Sequence, residues 1–255
     1  MHVWDPSQYL RFGDERLRPA LDLLSRVQLA APTVVYDLGC GSGTSTVILK
    51  ERWPEADVIG IDSSTSMLDR AKALDVEITW QEGDLTIWEP DAPCDLLFSN
   101  AVFQWLDDHE MVFQRLLSSL RPGGVLAVQM PGNYSAPTHT AIAETAREGP
   151  WSDRLEPHLR ESPTHDLSIY YDILRPHTTS IDLWETTYAH VLEGDEPVVE
   201  WFKGSALRPL LDLLEEAEES AFLKAYGARV GQAYPRRSDG KTVMPFKRLF
   251  FVAVK

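Results

Sequence analysis

Apolar residues along the chain fall into two recurring patterns. Short uninterrupted blocks read as buried strands: Thr33–Leu38, Asp57–Ile61, Glu77–Trp80, Cys94–Ser99 and Val125–Met130. Between them, apolar positions recur at helical spacing in Thr44–Arg52, Ser66–Ala73 and Glu110–Leu120. Trp53–Pro54 closes the first of these helices, and the "RPGG" at Arg121–Gly124 closes the last. A further helix is predicted over 14–29, where Leu17, Leu21, Leu24 and Leu29 recur and Pro19 sits near its start. Strand and helix in strict alternation build a parallel sheet covered by helices on both faces.

After Pro131 the pattern changes. Residues 133–175 are polar, rich in His, Pro and Arg, and partly helical. Ile181–Val191 alternates as a strand, 196–231 reads as helical, and Phe246–Val254 as a final apolar strand. The expected architecture is an α/β, Rossmann-like core carrying helical insertions on its ligand side.

The loop after the first strand, "DLGCGSGTST", narrows the chemistry. Gly39, Gly41 and Gly43 occupy relative positions 0, 2 and 4. A dinucleotide fingerprint needs its third glycine at position 5, and a nucleotide-hydrolase phosphate loop needs a Lys that this loop lacks. Asp37 precedes the glycines at the strand's carboxyl end, where it would repel a pyrophosphate. It suits a cationic group, such as the ammonium and sulfonium of S-adenosylmethionine. Asp62 ends the second strand, where an acid can take ribose hydroxyls or cap the next helix. Asp84 follows the third strand, and Asn100 ends the fourth. In open α/β sheets ligands lie beyond the carboxyl ends of the strands, so these residues are expected to line one cleft.

Composition adds exclusions. The formal net charge of −15 opposes nucleic acid or anionic membrane as a principal partner. No apolar run approaches the roughly 18 residues that span a bilayer. The start "MHVWDPSQYL" has no basic-then-apolar signal, so a cytoplasmic location is expected. Cys40 and Cys94 fit no metal or redox spacing, and the seven histidines show no ligand spacing, so no metal is expected.

The motifs "DLGCGSGTST", "GIDSS", "GDL" and "SNAVFQWL" resemble the class I methyltransferases that use S-adenosylmethionine. "WDPSQYLRFGDERLRPALDLL", "AVQMPGNYSAPTH", "YYDIL", "LRP" and "PFKRLFFVA" extend the likeness over nearly the whole chain, to the trans-aconitate 2-methyltransferase family. The chain departs from that pattern at Ser42, Thr44, Thr65 and Leu210.

The resemblance implies a single domain over 1–255 with a seven-stranded core. Residues 1–30 would form a helical segment closing over the site, and 31–131 the cofactor-binding half. The insertions 133–175 and 195–232 would form a substrate lid. It implies that Asp37 orders the cofactor's ammonium and that Gly39, Gly41 and Gly43 line its methionine part. Asp62 would hold the ribose, and Asp84 and Leu85 would face the adenine. Asn100, Gln104 and Trp105 would border the methyl, Tyr9 would close over the site, and Cys40, Ser63 and Met67 would complete the lining.

The implied reaction places a methyl group on a carboxylate of trans-aconitate. A carboxylate is already nucleophilic at neutral pH, so no catalytic base is expected; proximity and orientation suffice. Cations and hydroxyls should hold the acceptor. The candidates are Arg208, Tyr171, Lys203, Arg248 and Arg16, with Tyr170 and His139 behind them. The alternatives are a methyltransferase for another small carboxylic acid or metabolite, a nicotinamide-dependent reductase, and a non-catalytic module that binds S-adenosylmethionine.

Overall fold

Strand β1 (Val34–Leu38) is short and apolar, as a strand covered on both faces must be. The computed structural model describes residues 13–159 and 162–255, with the side chains of 13–16 outside that description. In chain order α1 (Gly13–Ser25) precedes β1; α2 (Thr44–Arg52), β2 (Asp57–Asp62), α3 (Thr65–Lys72), β3 (Thr79–Glu82) and β4 (Cys94–Asn100) follow. Next come α4 (His109–Ser118), β5 (Leu120–Pro131), α5 (Pro137–Glu148), α6 (Ser152–Leu155), α7 (Leu167–Leu174) and β6 (Ser180–Leu192). The helices α8 (Pro197–Lys203), α9 (Arg208–Leu211) and α10 (Glu216–Ala233) lead to β7 (Thr242–Val254).

The seven strands are ordered β3-β2-β1-β4-β5-β7-β6. The first five are mutually parallel, and β7 runs antiparallel to β5. This is the seven-stranded mixed sheet of the class I methyltransferase fold.

One prediction shifts. The "RPGG" segment, expected as a turn ahead of the strand, lies within β5. Its register against β4 jumps between Cys94 and Leu96, from Leu120 to Val125, so the extra residues bow out of the ladder. Gly123 takes φ 79° there, a conformation that a residue with a Cβ rarely adopts.

The chain divides into two compact units. A sheet unit holds 16–131, 163–186 and 248–255. A second, helical unit contains 132–162 and 187–247. The insertion expected over 133–175 is therefore split: α5 and α6 belong to the helical unit, whereas α7 packs with the sheet unit. The apolar face of α7 explains the assignment, since Tyr170 and Leu174 are fully buried in the sheet unit's core.

Each unit has its own core. In the sheet unit, Leu38, Leu97, Val128, Met130 and Phe251 cluster with Val112, Phe113 and Leu116 of α4. In the helical unit, Trp151, Trp201, Phe202, Phe222, Tyr226 and Phe246 form a separate cluster.

Strand alternation sorts the sheet's two faces. Leu38, Leu97, Val128, Met130, Leu249 and Phe251 share the core face. Asp37, Phe98, Asn100, Ala127, Gln129, Phe250 and Arg248 therefore share the other. Registers Asp37↔Phe98, Asn100↔Gln129, Gln129↔Phe250 and Pro131↔Arg248 agree with this. The amino ends of the strands are tied off. Asp95 accepts from the backbone N–H groups of Thr33 (2.7 Å) and Val34 (2.9 Å) and pairs with Arg121 (2.9 Å). Lys255 donates to the carbonyls of Ser118 and Leu120 at the same end.

Candidate functional site

The glycine loop is held at the carboxyl ends of β1 and β2. The N–H groups of Gly39 and Cys40 both donate to the Ile61 carbonyl, at 2.7 and 2.9 Å. Gly39, Gly41 and Gly43 all have positive φ, at 72°, 56° and 87°, which non-glycine residues enter only at a cost. Their surroundings differ. A Cβ on Gly39 would fall 2.3 Å from Val102, and one on Gly43 would fall 2.6 Å from Trp80. A Cβ on Gly41 would meet nothing within 4 Å. Gly39 and Gly43 are thus required by packing, whereas Gly41 presents bare backbone to open space.

Asp37 lies beneath this loop and is fully buried. One carboxylate oxygen, Oδ2, accepts from Ser45 Oγ and Thr46 Oγ1, each at 2.7 Å, in the first turn of α2. The other, Oδ1, is buried without a hydrogen-bond partner among the described residues. Loss of solvation pushes the carboxyl up to about 6, assisted by the nearby Asp62 charge and opposed by the two hydroxyls. A buried carboxylate with one unpaired oxygen is the environment that a cationic group would complete.

Asp62 joins two segments. Its Oδ2 accepts from Gly41 N–H and its Oδ1 from Ser64 N–H, both at 2.8 Å. The cap of α3 is not Asp62 but Ser64, whose hydroxyl accepts from Met67 N–H (3.4 Å). The Asp62 carboxylate, with about four lone-pair sites, keeps capacity for two further donors. Ser63 beside it is exposed, while Met67 and Cys40 are buried under the loop.

Beyond β3, Asp84 is exposed and closes a tight turn, accepting from Thr86 N–H (2.9 Å) and its hydroxyl (2.7 Å). These bonds hold its carboxyl below the usual carboxylate range. Arg115 of α4 reaches back and donates to the carbonyls of Leu85 (2.6 Å) and Thr86 (2.7 Å), fixing this loop from behind. Beyond β4, Ala101 takes φ 60°, a strained conformation for a residue with a side chain. The Gln104 amide pins it by donating to the Ala101 carbonyl at 2.6 Å. Asn100 Oδ1 and Gln104 Oε1 are buried without partners among the described residues, and Trp105 is 48% exposed.

The residues expected to contact a cofactor thus gather at the carboxyl ends of β1 to β4 in the sheet unit. Tyr9 lies outside the described residues, as does the side chain of Arg16. The acceptor candidates are divided between the two units. Lys203 pairs with Glu200 (3.0 Å) and Arg208 with Asp212 (2.8 Å), each within the helical unit. In the sheet unit, Tyr171 is 45% exposed on α7, and Arg248 is buried on the same sheet face as Asp37.

Tyr170, considered as a second-rank acceptor contact, is instead a core residue. His109 Nε2–H donates to the Phe103 carbonyl (2.7 Å), so its Nδ1 accepts from the Tyr170 hydroxyl (2.9 Å). Burial lowers the His109 pKa and keeps this ring neutral. His139, in the helical unit, packs edge-on against Phe202, and burial lowers its pKa to about 4.

Two residues escaped the sequence reading. Arg115 is one basic residue on an amphipathic helix, and its carbonyl partners lie about thirty residues earlier in the chain. Gln129 sits within the apolar run "VLAVQM", and a lone amide in a buried strand was the available signal.

Comparison with known proteins gives a consistent result. A methyltransferase-domain family model matches residues 35–124. Proteins named trans-aconitate 2-methyltransferase match along the full chain. The protein from Azoarcus sp. (strain BH72) is 50% identical, with all of both chains covered. That from Rhodopseudomonas palustris (strain BisB5) is 46% identical, again with all of both chains covered. That from Yersinia pseudotuberculosis serotype O:1b is 44% identical over 99% of this chain and 98% of its own. Among solved structures, the YcgJ protein from Bacillus subtilis aligns with a TM-score of 0.59 at 14% identity, over 93% of this chain and 98% of its own. A Haemonchus contortus phosphoethanolamine N-methyltransferase 2, in complex with phosphomonomethylethanolamine and S-adenosylhomocysteine, aligns with a TM-score of 0.57 at 18% identity. That alignment covers 93% of this chain and 52% of the other. Among the described residues, no helix is long and apolar enough to cross a membrane.

Proposed function

We infer the reaction from one premise: the chain belongs to the trans-aconitate 2-methyltransferase family, within the class I methyltransferases that use S-adenosylmethionine. It transfers a methyl group to a carboxylate of trans-aconitate, giving the monomethyl ester and S-adenosylhomocysteine. The full-length identity to proteins of that name carries this reading. The unpaired Oδ1 of buried Asp37 fits the cationic cofactor the reaction needs.

When bound, S-adenosylmethionine supplies an electrophilic methyl group on a sulfonium. The chain's task is then to bind, align and exclude water. In this reading Asp37 Oδ1 takes the ammonium, and Gly41 lets the backbone approach the methionine part. The spare lone pairs of Asp62 accept from the ribose hydroxyls. Asp84 and Leu85 border the adenine, and Asn100, Gln104 and Trp105 the methionine end, with Gly39, Cys40, Gly43, Ser63 and Met67 shaping the loop and its floor. The acceptor carboxylate is ionised at neutral pH and needs no base. Alignment of this kind supplies several kcal/mol of the barrier, about 7–11 in the best-oriented model reactions.

The test is methyl transfer from labelled S-adenosylmethionine to trans-aconitate, cis-aconitate, citrate and isocitrate, with fatty acids and phenols as contrasts. Base-labile label on trans-aconitate is the expected result. Label on a phenol or fatty acid alone would replace the acceptor. Tight cofactor binding with no transfer at all would make the chain a binding module.

Asp62→Ala should weaken cofactor binding by about 1–3 kcal/mol, the worth of lost charge-assisted hydrogen bonds. An unchanged affinity in calorimetric titration would remove Asp62 from the ribose site.

A further inference from the structure

The proposed reaction requires at least one carboxylate of the acceptor to be gripped while another is methylated. We infer that Gln129, together with Arg248, forms the subsite that holds the non-reacting carboxylate. This inference rests on the proposed reaction and adds a residue that neither the motifs nor the family resemblance singled out.

Gln129 is fully buried, and both its Oε1 and Nε2 lack a hydrogen-bond partner among the described residues. Buried amides are almost always paired, because an unpaired one is a standing cost to the fold. Such a group near the carboxyl end of β5 has donors and an acceptor to offer a partner from outside the described residues.

Its position says which kind. Gln129 is in register with Asn100 of β4 on one side and Phe250 of β7 on the other. Asn100, whose Oδ1 is also unpartnered, is thus its lateral neighbour on the same face, about 4.8 Å away across the ladder. Arg248 sits two residues before Phe250, opposite Pro131, and shares that face at 6% exposure. The carboxyl end of β4 and β5 therefore collects a guanidinium and two side-chain amides on the face that also holds Phe98, Ala127, Phe250 and, on β1, Asp37.

A guanidinium with an adjacent amide N–H is the donor set that a planar carboxylate accepts from. Both side chains are buried, and a buried setting strengthens such contacts.

The experiment compares wild type, Gln129→Met and Gln129→Glu in cofactor titration, thermal unfolding and trans-aconitate kinetics. Gln129→Met keeps the shape and deletes the unpaired amide. It should raise the KM for trans-aconitate about tenfold, the loss of one charge-assisted hydrogen bond. Its cofactor affinity should stay within about twofold, and its melting temperature should hold or rise, because a buried polar group without a partner is gone. Gln129→Glu sets a carboxylate against the acceptor's own and should raise KM further than Gln129→Met does. A Gln129→Met protein with lowered melting temperature and unmoved KM, or one that fails to fold, overturns the subsite while leaving the reaction intact. A wild-type protein that binds cofactor but does not methylate trans-aconitate overturns the reaction itself, and the subsite with it.

Discussion

Lowering the pH from 7 to 5 should weaken S-adenosylmethionine binding, and Asp37→Asn should abolish that dependence while reducing affinity at pH 7 by about 2–4 kcal/mol. Asp37 is fully enclosed, and its carboxyl is raised to about 6, first by desolvation and then by the Asp62 charge, against the lowering effect of Thr46 and Ser45. A cation binds the ionised form, so affinity is full above the folded value and falls as protons occupy the group below about 6.

Stability without cofactor has the opposite sign. A carboxyl raised in the folded state favours folding most below its unfolded value of 3.8, and that contribution disappears as pH rises through about 6. Acid therefore relieves the empty site and weakens the filled one. Calorimetric titration of wild type and Asp37→Asn between pH 5 and 7.5 tests this. A wild-type affinity that stays flat across that range would separate Asp37 from the cofactor's charge.

Phe251→Ala should cost about 3–5 kcal/mol of folding stability, the largest single loss expected in the sheet unit. Phe251 is fully buried on β7. Its ring meets Phe113 edge-on with centroids 5.2 Å apart and lies 5.8 Å from that of Tyr170. The side chain thus joins a strand from the far end of the sequence to α4 and α7. Truncation leaves a cavity that three separate elements must close, and tightly packed interiors relax only partly. Tyr171→Ala is the internal control: its side chain is 45% exposed, and its effect should stay within about 0.5 kcal/mol. Urea unfolding with an unchanged m-value is the measurement.

Legibility in the sequence followed the range of the interaction being read. The strands β1 to β4 and the helices α2 to α4 were placed within a few residues, because each is set by local periodicity and nearby stop signals. The acid-plus-glycine pattern at Asp37–Gly43 was equally local, and its three glycines all take positive φ.

Pairings between distant segments were not legible. The split of 133–175 between two units depends on where Tyr170 and Leu174 find apolar neighbours. The significance of Gln129 depends on its register with Asn100 and Phe250, which no single strand encodes.

The placement of β7 between β5 and β6 also governs the order in which the molecule can be assembled. The parallel strands β1 to β5 are contiguous in sequence and can associate while the rest of the chain is still being made. The ladder between β5 and β7 cannot, and the Lys255 contact to Leu120 closes a separation of 135 residues. Until then β5 is an open strand edge beside an apolar face, the condition that invites pairing with the wrong chain. Synthesis and refolding thus share one vulnerable interval, which ends when the antiparallel strand docks. Because Arg248 arrives on that same strand, the chain acquires its buried guanidinium and its aggregation resistance in a single late event.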